Sequence, residues 1–223
     1  MNFMRAKDYQ STPALADLRS LLGGLLTADW KQSLVARGFG WHFDVGSFST
    51  PITGGGAGTV IDLDQPEFGI SIPADYVCIP TRLKVDCHTP LLATDADESE
   101  ILIAVDRAAK WAGDGTVTTE TPTNMRTDKT SACPLTCFSA ATADITDPVL
   151  GVELGRALRT GDMNGTPANA LWGELSFLYE PLTVPFIVGP AAIYGYWGGT
   201  VATPGFANLD FIAVPASLLT VLS

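Results

Sequence analysis

The sequence predicts an all-β chain, an antiparallel β-sandwich behind a short helical amino-terminal arm, and three observations carry that prediction. From Trp41 onward, apolar and polar residues alternate in short runs cut by Gly, Pro, Asn and Asp. Thirty-seven of the 223 residues are Gly or Pro, which argues against a mainly helical chain. No fixed-period repeat and no strand–helix–strand rhythm is visible, which leaves two packed antiparallel sheets in a jelly-roll or related Greek-key order as the simplest account.

The chain divides at about residue 40. Residues 1–41 carry Arg5, Lys7, Arg19, Lys31 and Arg37 against Asp8, Asp17 and Asp29, a charge of +2 within a chain of net −11. Thr12 suits a helix cap and Pro13 the first helical position, while Leu15, Leu18 and Leu22 recur at helical spacing until Gly23 and Gly24 break the run. A second short helix is expected from about Ala28, capped by Thr27, to Arg37, with Gly38 as its stop. Residues 1–40 therefore read as an amphipathic arm, and residues 41–223 as the sandwich.

In the sandwich, Leu83, Val85 and Cys87 share one face of a strand while Arg82, Lys84, Asp86 and His88 share the other. Ile101, Ile103 and Val105 form one face of the next, with Leu102 and Ala104 behind. Between Asp147 and Arg159 a helix start at Asp147-Pro148 competes with Gly151 and Gly155, each costing ~1 kcal/mol inside a helix. A strand is favoured, with Val152, Leu154 and Leu158 on one face. Leu171, Gly173, Leu175, Phe177 and Tyr179 alternate in another strand, and Ala207, Leu209, Phe211 and Ala213 in the last. Further strands are expected near 42–48, 58–63, 68–79, 131–139, 183–188 and 192–197. Gly54-Gly55-Gly56 reads as a flexible joint, and residues 113–131 as a long exposed loop or ribbon, with 160–168 as another loop facing outward or toward a neighbour.

The chemistry-bearing residues are sparse. His42 and His88 are the only histidines, too few for a cupin-type metal centre. Cys87 and His88 are neighbours on a strand, so their side chains point to opposite faces and cannot pair as nucleophile and base. Cys78, Cys87, Cys133 and Cys137 read as reduced thiols, since their spacings make two unmatched halves of a zinc site. Asp95, Asp97, Glu98 and Glu100 invite a calcium reading but lack the glycine and terminal glutamate of an EF-hand loop, so they read as a solvated acidic turn. Asp62 and Asp64 read as a solvent-facing strand edge. There is no phosphate loop, dinucleotide fingerprint or nucleophile elbow. No cofactor, metal or catalytic residue is expected, and the chain reads as no enzyme.

Tyr194, Tyr196 and Trp197 lie in Ile-Tyr-Gly-Tyr-Trp-Gly-Gly and read as core or interface aromatics, with a sugar platform as the alternative. Only 17% of residues are charged, so a strand scaffold with this surface desolvates few charges when it packs against copies of itself. The amino terminus shows no secretory signal, and no apolar run reaches the roughly 20 residues of a membrane span.

The final third runs from Asn169 through Leu-Trp-Gly-Glu-Leu-Ser-Phe-Leu-Tyr-Glu-Pro-Leu, then Val184-Pro185-Phe186-Ile187-Val188-Gly189-Pro190, Tyr196-Trp197-Gly198-Gly199-Thr200 and Phe206 to Pro215. It resembles the closing strands of viral jelly-roll capsid proteins. The resemblance implies a self-assembling shell subunit, made in the host cytoplasm and located in the virion, with copies of itself and other virion proteins as partners. Its arm would contact neighbours or an internal membrane through Phe3, Met4, Leu15, Leu18 and Leu22. Arg5 and Lys7 complete the arm's candidate contacts, but a charge of +2 is too small for extensive nucleic-acid binding. The other reading is a carbohydrate- or receptor-binding β-sandwich of the spike or lectin-like kind.

Overall fold

The computed structural model describes residues 30–54, 61–90, 96–108, 117–142, 145, 148–162, 172–199 and 203–218. Among the described residues one helix, α1 (Trp30–Ala36), precedes thirteen strands. They are β1 (Gly40–Val45), β2 (Ile52–Gly54), β3 (Phe68–Ile72), β4 (Tyr76–Pro90), β5 (Ala96–Asp106), β6 (Thr118–Glu120) and β7 (Thr123–Asn124). After these come β8 (Thr136–Ser139), β9 (Leu150–Asp162), β10 (Trp172–Tyr179), β11 (Ile187–Val188), β12 (Ala191–Gly199) and β13 (Thr203–Pro215). A 3₁₀ turn over Ala216–Leu218 succeeds the last strand.

Eight of the strands pair in nested fashion, all antiparallel: β1 with β13, β3 with β12, β4 with β10 and β5 with β9. Pairing of β4 with β13 and of β5 with β12 joins these into two sheets, β10-β4-β13-β1-β7 and β6-β8-β3-β12-β5-β9. A long antiparallel ribbon folded over on itself in this way is a jelly roll. The short strands are additions to it: β2 and β11 flank the first sheet, and β6, β7 and β8 come from the connection between β5 and β9.

The expected alternation holds where both partners are long. Leu83, Val85 and Cys87 point into the sandwich with Leu209, Ala207, Ile101 and Ile103, all at most 1% exposed. Strand β9 departs from the expectation. Its register against β5 slips at Leu154 and again at Gly151, so each is an extra residue, and the slip at Leu154 reverses the parity of the residues after it. Ala157 therefore packs inward and Leu158 stands 61% exposed, where sequence alternation had placed Leu158 inside.

Other boundaries also moved. The expected strand over 68–79 is two strands separated by a turn at 73–75, and the expected strand at 183–188 shrinks to Ile187–Val188. Residues 61–64 lie outside any strand, with the Asp64 amide donating to Asp62 Oδ1 at 3.0 Å, so Asp62 and Asp64 form a local turn instead of a strand edge. The stretch at 113–131, expected as a loop or ribbon, contributes two short strands among its described residues, β6 and β7. Gly54 is no flexible joint: it ends β2, and a Cβ there would lie 2.1 Å from the Trp197 carbonyl oxygen. Residues 55 and 56 lie outside the described residues.

Helix α1 stops as expected, because Gly38 takes φ +87°, the left-handed conformation that glycine tolerates best. Its amide donates to the Val35 carbonyl at 2.8 Å, and the chain turns directly into β1.

Candidate functional site

A jelly roll of this kind has two outer sheet faces and two ends, and the sequence-predicted residues distribute unevenly over them. The arm residues Phe3, Met4, Arg5, Lys7, Leu15, Leu18 and Leu22 lie outside the described residues. Tyr194, Tyr196 and Trp197 are each 0% exposed, so none of the three presents a ring to solvent and the sugar-platform alternative fails for them. Alternation on β12 sends Trp197 into the inner core against Phe68 and sends Tyr194 and Tyr196 outward. There they are covered by the chain's own loops. The Tyr196 hydroxyl donates to the Leu63 carbonyl at 3.0 Å, and burial pushes its phenol well above the ordinary value. Glu67, 4% exposed, accepts from the Trp197 amide at 3.0 Å.

The loop cover explains why β12 is apolar on both faces. Residues 61–67 are bonded to Ala140 and Ile145, with Ile145 N donating to Asp64 O and Ala140 N to Glu67 O, both at 2.8 Å. Ile145 closes a second apolar cluster outside the sandwich over Leu102, Ala104, Phe138, Ala192, Tyr194 and Tyr196. Gly195, between the tyrosines, faces inward, and a Cβ there would lie 1.9 Å from the Phe68 ring.

The outer face of the other sheet is polar through its middle. His42 Nδ1 lies 2.6 Å from Asp210 Oδ1 and its Nε2 lies 3.3 Å from Asp44 Oδ1, while Arg82 pairs with Glu180 at 3.1 Å. Burial by itself works against the charged imidazole, but the Asp210 hydrogen bond and the charges of Asp44 and Asp210 outweigh it and hold the His42 pKa above its ordinary value. Asp86, 4% exposed, is bound by Lys84 at 2.7 Å and by the Ser176 hydroxyl at 2.6 Å. His88 lies elsewhere on this face in an aromatic row, edge-on to Phe48 and stacked on Phe206 at centroid distances of 6.1 and 6.3 Å. The two histidines thus sit apart, on strands β1 and β4, and neither faces Cys87, which points into the core.

The acidic cluster is not a turn. Strand β5 already begins at Ala96, so Asp97, Glu98 and Glu100 lie along a paired strand, where Glu100 bonds to Arg156 of β9; Asp95 lies outside the described residues. Cys78, Cys87, Cys133 and Cys137 are free thiols, and burial is the main cause that pushes Cys78, Cys87 and Cys137 upward, Cys87 to about 12. Among the described residues no group of three His, Cys, Asp or Glu side chains is arranged to hold a metal ion.

Sequence alternation missed one surface. In Pro181-Leu-Thr-Val-Pro-Phe-Ile-Val-Gly-Pro190, Leu182, Phe186 and Val188 are at least half exposed at the end of the sandwich where α1 packs. Trp30, at the start of α1, stacks on Phe186 with ring centroids 6.1 Å apart. The signal was available: three prolines within ten residues remove the amide donors a sheet interior needs, so these apolar side chains could not all be strand core.

Among the described residues no helix is long and apolar enough to cross a membrane. No protein-family model matches the chain, and no curated protein does. Among solved structures, the chain is similar to the crystal structure of the infectious bursal disease virus VP2 subviral particle, at 13% identity and a TM-score of 0.21, over 81% of this chain and 42% of that one. The chain therefore spans less than half of that relative's length. A TM-score at that level does not establish a shared fold, and the jelly-roll assignment rests on the strand order alone.

Proposed function

We propose that the chain is a non-enzymatic structural protein of a virus particle, a jelly-roll subunit that assembles with copies of itself and with other virion proteins through its body and its amino-terminal arm. The observation that carries this reading is the nested pairing of eight strands into two sheets, an order used by viral shell subunits and by some lectins and cupins. Two features favour the shell over the others. The histidines are locked in an ion-paired row and an aromatic row on an outer face, away from any cluster of ligating side chains among the described residues. Exposed apolar side chains gather where α1 and the 180–190 connection meet, and such patches mark contact surfaces.

A size measurement tests it. Purified full-length chain at micromolar concentration is expected to sediment as large, closed particles; a monomer across that range overturns the reading. One observation favours a second reading, a glycan-binding sandwich: Phe48, 81% exposed, and the His88–Phe206 stack form an aromatic surface. Glycan binding by a monomer, lost in Phe48→Ala, would establish that alternative.

A further inference from the structure

A groove of about 440 Å³ lies between β9 and the 185–190 connection, lined by Val152, Leu154, Pro185, Phe186, Val188 and one cation, Arg107. Phe186 and Val188 are 51% and 52% exposed on it. Apolar side chains held at this exposure in a rigid concavity are poised to be covered. The candidate cover starts at the same place: Trp30 stacks on Phe186, so residues 1–29 join the body beside the groove. Immediately upstream, residues 20–28 carry no charge and include Leu21, Leu22, Leu25 and Leu26. Leu26 is four residues from Trp30, a span of about 13 Å when extended, which bridges the width of one side chain row beside Phe186. A segment tethered so closely competes at an effective concentration on the order of millimolar.

We propose that in the unassembled subunit this groove is occupied by the leucine-rich segment of the same chain, centred on Leu25 and Leu26. Occupancy does not depend on the virion reading. Its consequence does: if the arm ties neighbouring subunits together, assembly must first draw the segment out of its own groove, which makes assembly a concentration-dependent exchange.

The test uses full-length chain with p-benzoylphenylalanine in place of Leu26, mixed from isotope-labelled and unlabelled preparations, irradiated dilute and mapped by mass spectrometry. The expected crosslinks join position 26 to peptides covering 149–154 or 185–190, both halves carrying the same label. Val188→Asp, at an exposed position, is expected to lower their yield about tenfold while leaving circular dichroism unchanged. Mixed-label pairs would assign the groove to a neighbour's segment and overturn the proposal, as would crosslinks elsewhere or none. Particle size measured before irradiation and again after concentration to the micromolar range separates the two readings: same-label crosslinks in the dilute, unassembled sample with no particles on concentration defeat only the shell, and an unassembled sample without groove crosslinks that forms particles on concentration defeats only the occupancy.

Discussion

The two outer faces of the sandwich started from the same rule and ended differently. On the sheet containing β12, alternate residues facing away from the core are apolar, and the loop at 61–67, bonded to Ala140 and Ile145, helps to bury them. On the sheet containing β13, the corresponding residues are His42, Arg82, Lys84, Asp86, Asn208 and Asp210, which pair with one another or with neighbours on the same face and need no cover. One end of that face is apolar, at Val77, Ile79, Ile212 and Val214, and there α1 packs over it with Leu34 and Val35. The difference teaches that the chain covers its apolar outer surface from within and leaves its polar surface bare. Apolar surface that the described residues leave uncovered, around Phe186 and Val188 and around Phe48, is then the place to look for a contact.

The comparison breaks first at the covered face. Tyr196→Ala removes a fully buried ring and leaves a cavity under the loops, so a loss of about 3–5 kcal/mol in urea unfolding is expected; a loss below about 1 kcal/mol would show the loops to be a loose cover. On the bare face the largest handle is pH. Since the folded pKa of His42 lies above its unfolded value, the stabilisation from Asp210 and Asp44 is full below the unfolded pKa, about 6.5, and is lost as pH rises through the folded pKa. Denaturation midpoints of the parent chain should therefore fall relative to His42→Gln as pH rises from the unfolded value through the raised folded pKa; parallel profiles would mean the imidazole is not held charged. The smallest effect belongs to Arg156 on the edge strand β9, which joins Glu153 of the same strand and Glu100 of β5. Arg156→Ala is expected to cost about 0–1 kcal/mol, shrinking further in salt, as exposed pairs do.

Legibility tracked the range of the interaction that decides each feature. The faces of Leu83, Val85 and Cys87 were readable because a regular strand alternates whatever its partner. Leu158 was misplaced because the bulge at Leu154 exists only in the register between β9 and β5. The tyrosines at 194 and 196 could be seen to share a face, but nothing local said that a distant loop, 133 residues earlier, would supply the Leu63 carbonyl for one of them. The pairing of His42 with Asp210, 168 residues apart, was invisible for the same reason.

By itself, the sequence determined the all-β class, the stop of α1 at Gly38 and the inward faces of the regular strands, because backbone sterics and side-chain alternation act over a few residues. Tertiary structure alone decided the nested strand order, the loop cover over Tyr194 and Tyr196, and the exposure of Phe186 beside Trp30. Each of those depends on which distant segment arrives to hydrogen-bond or to exclude water, and no local pattern encodes that arrival.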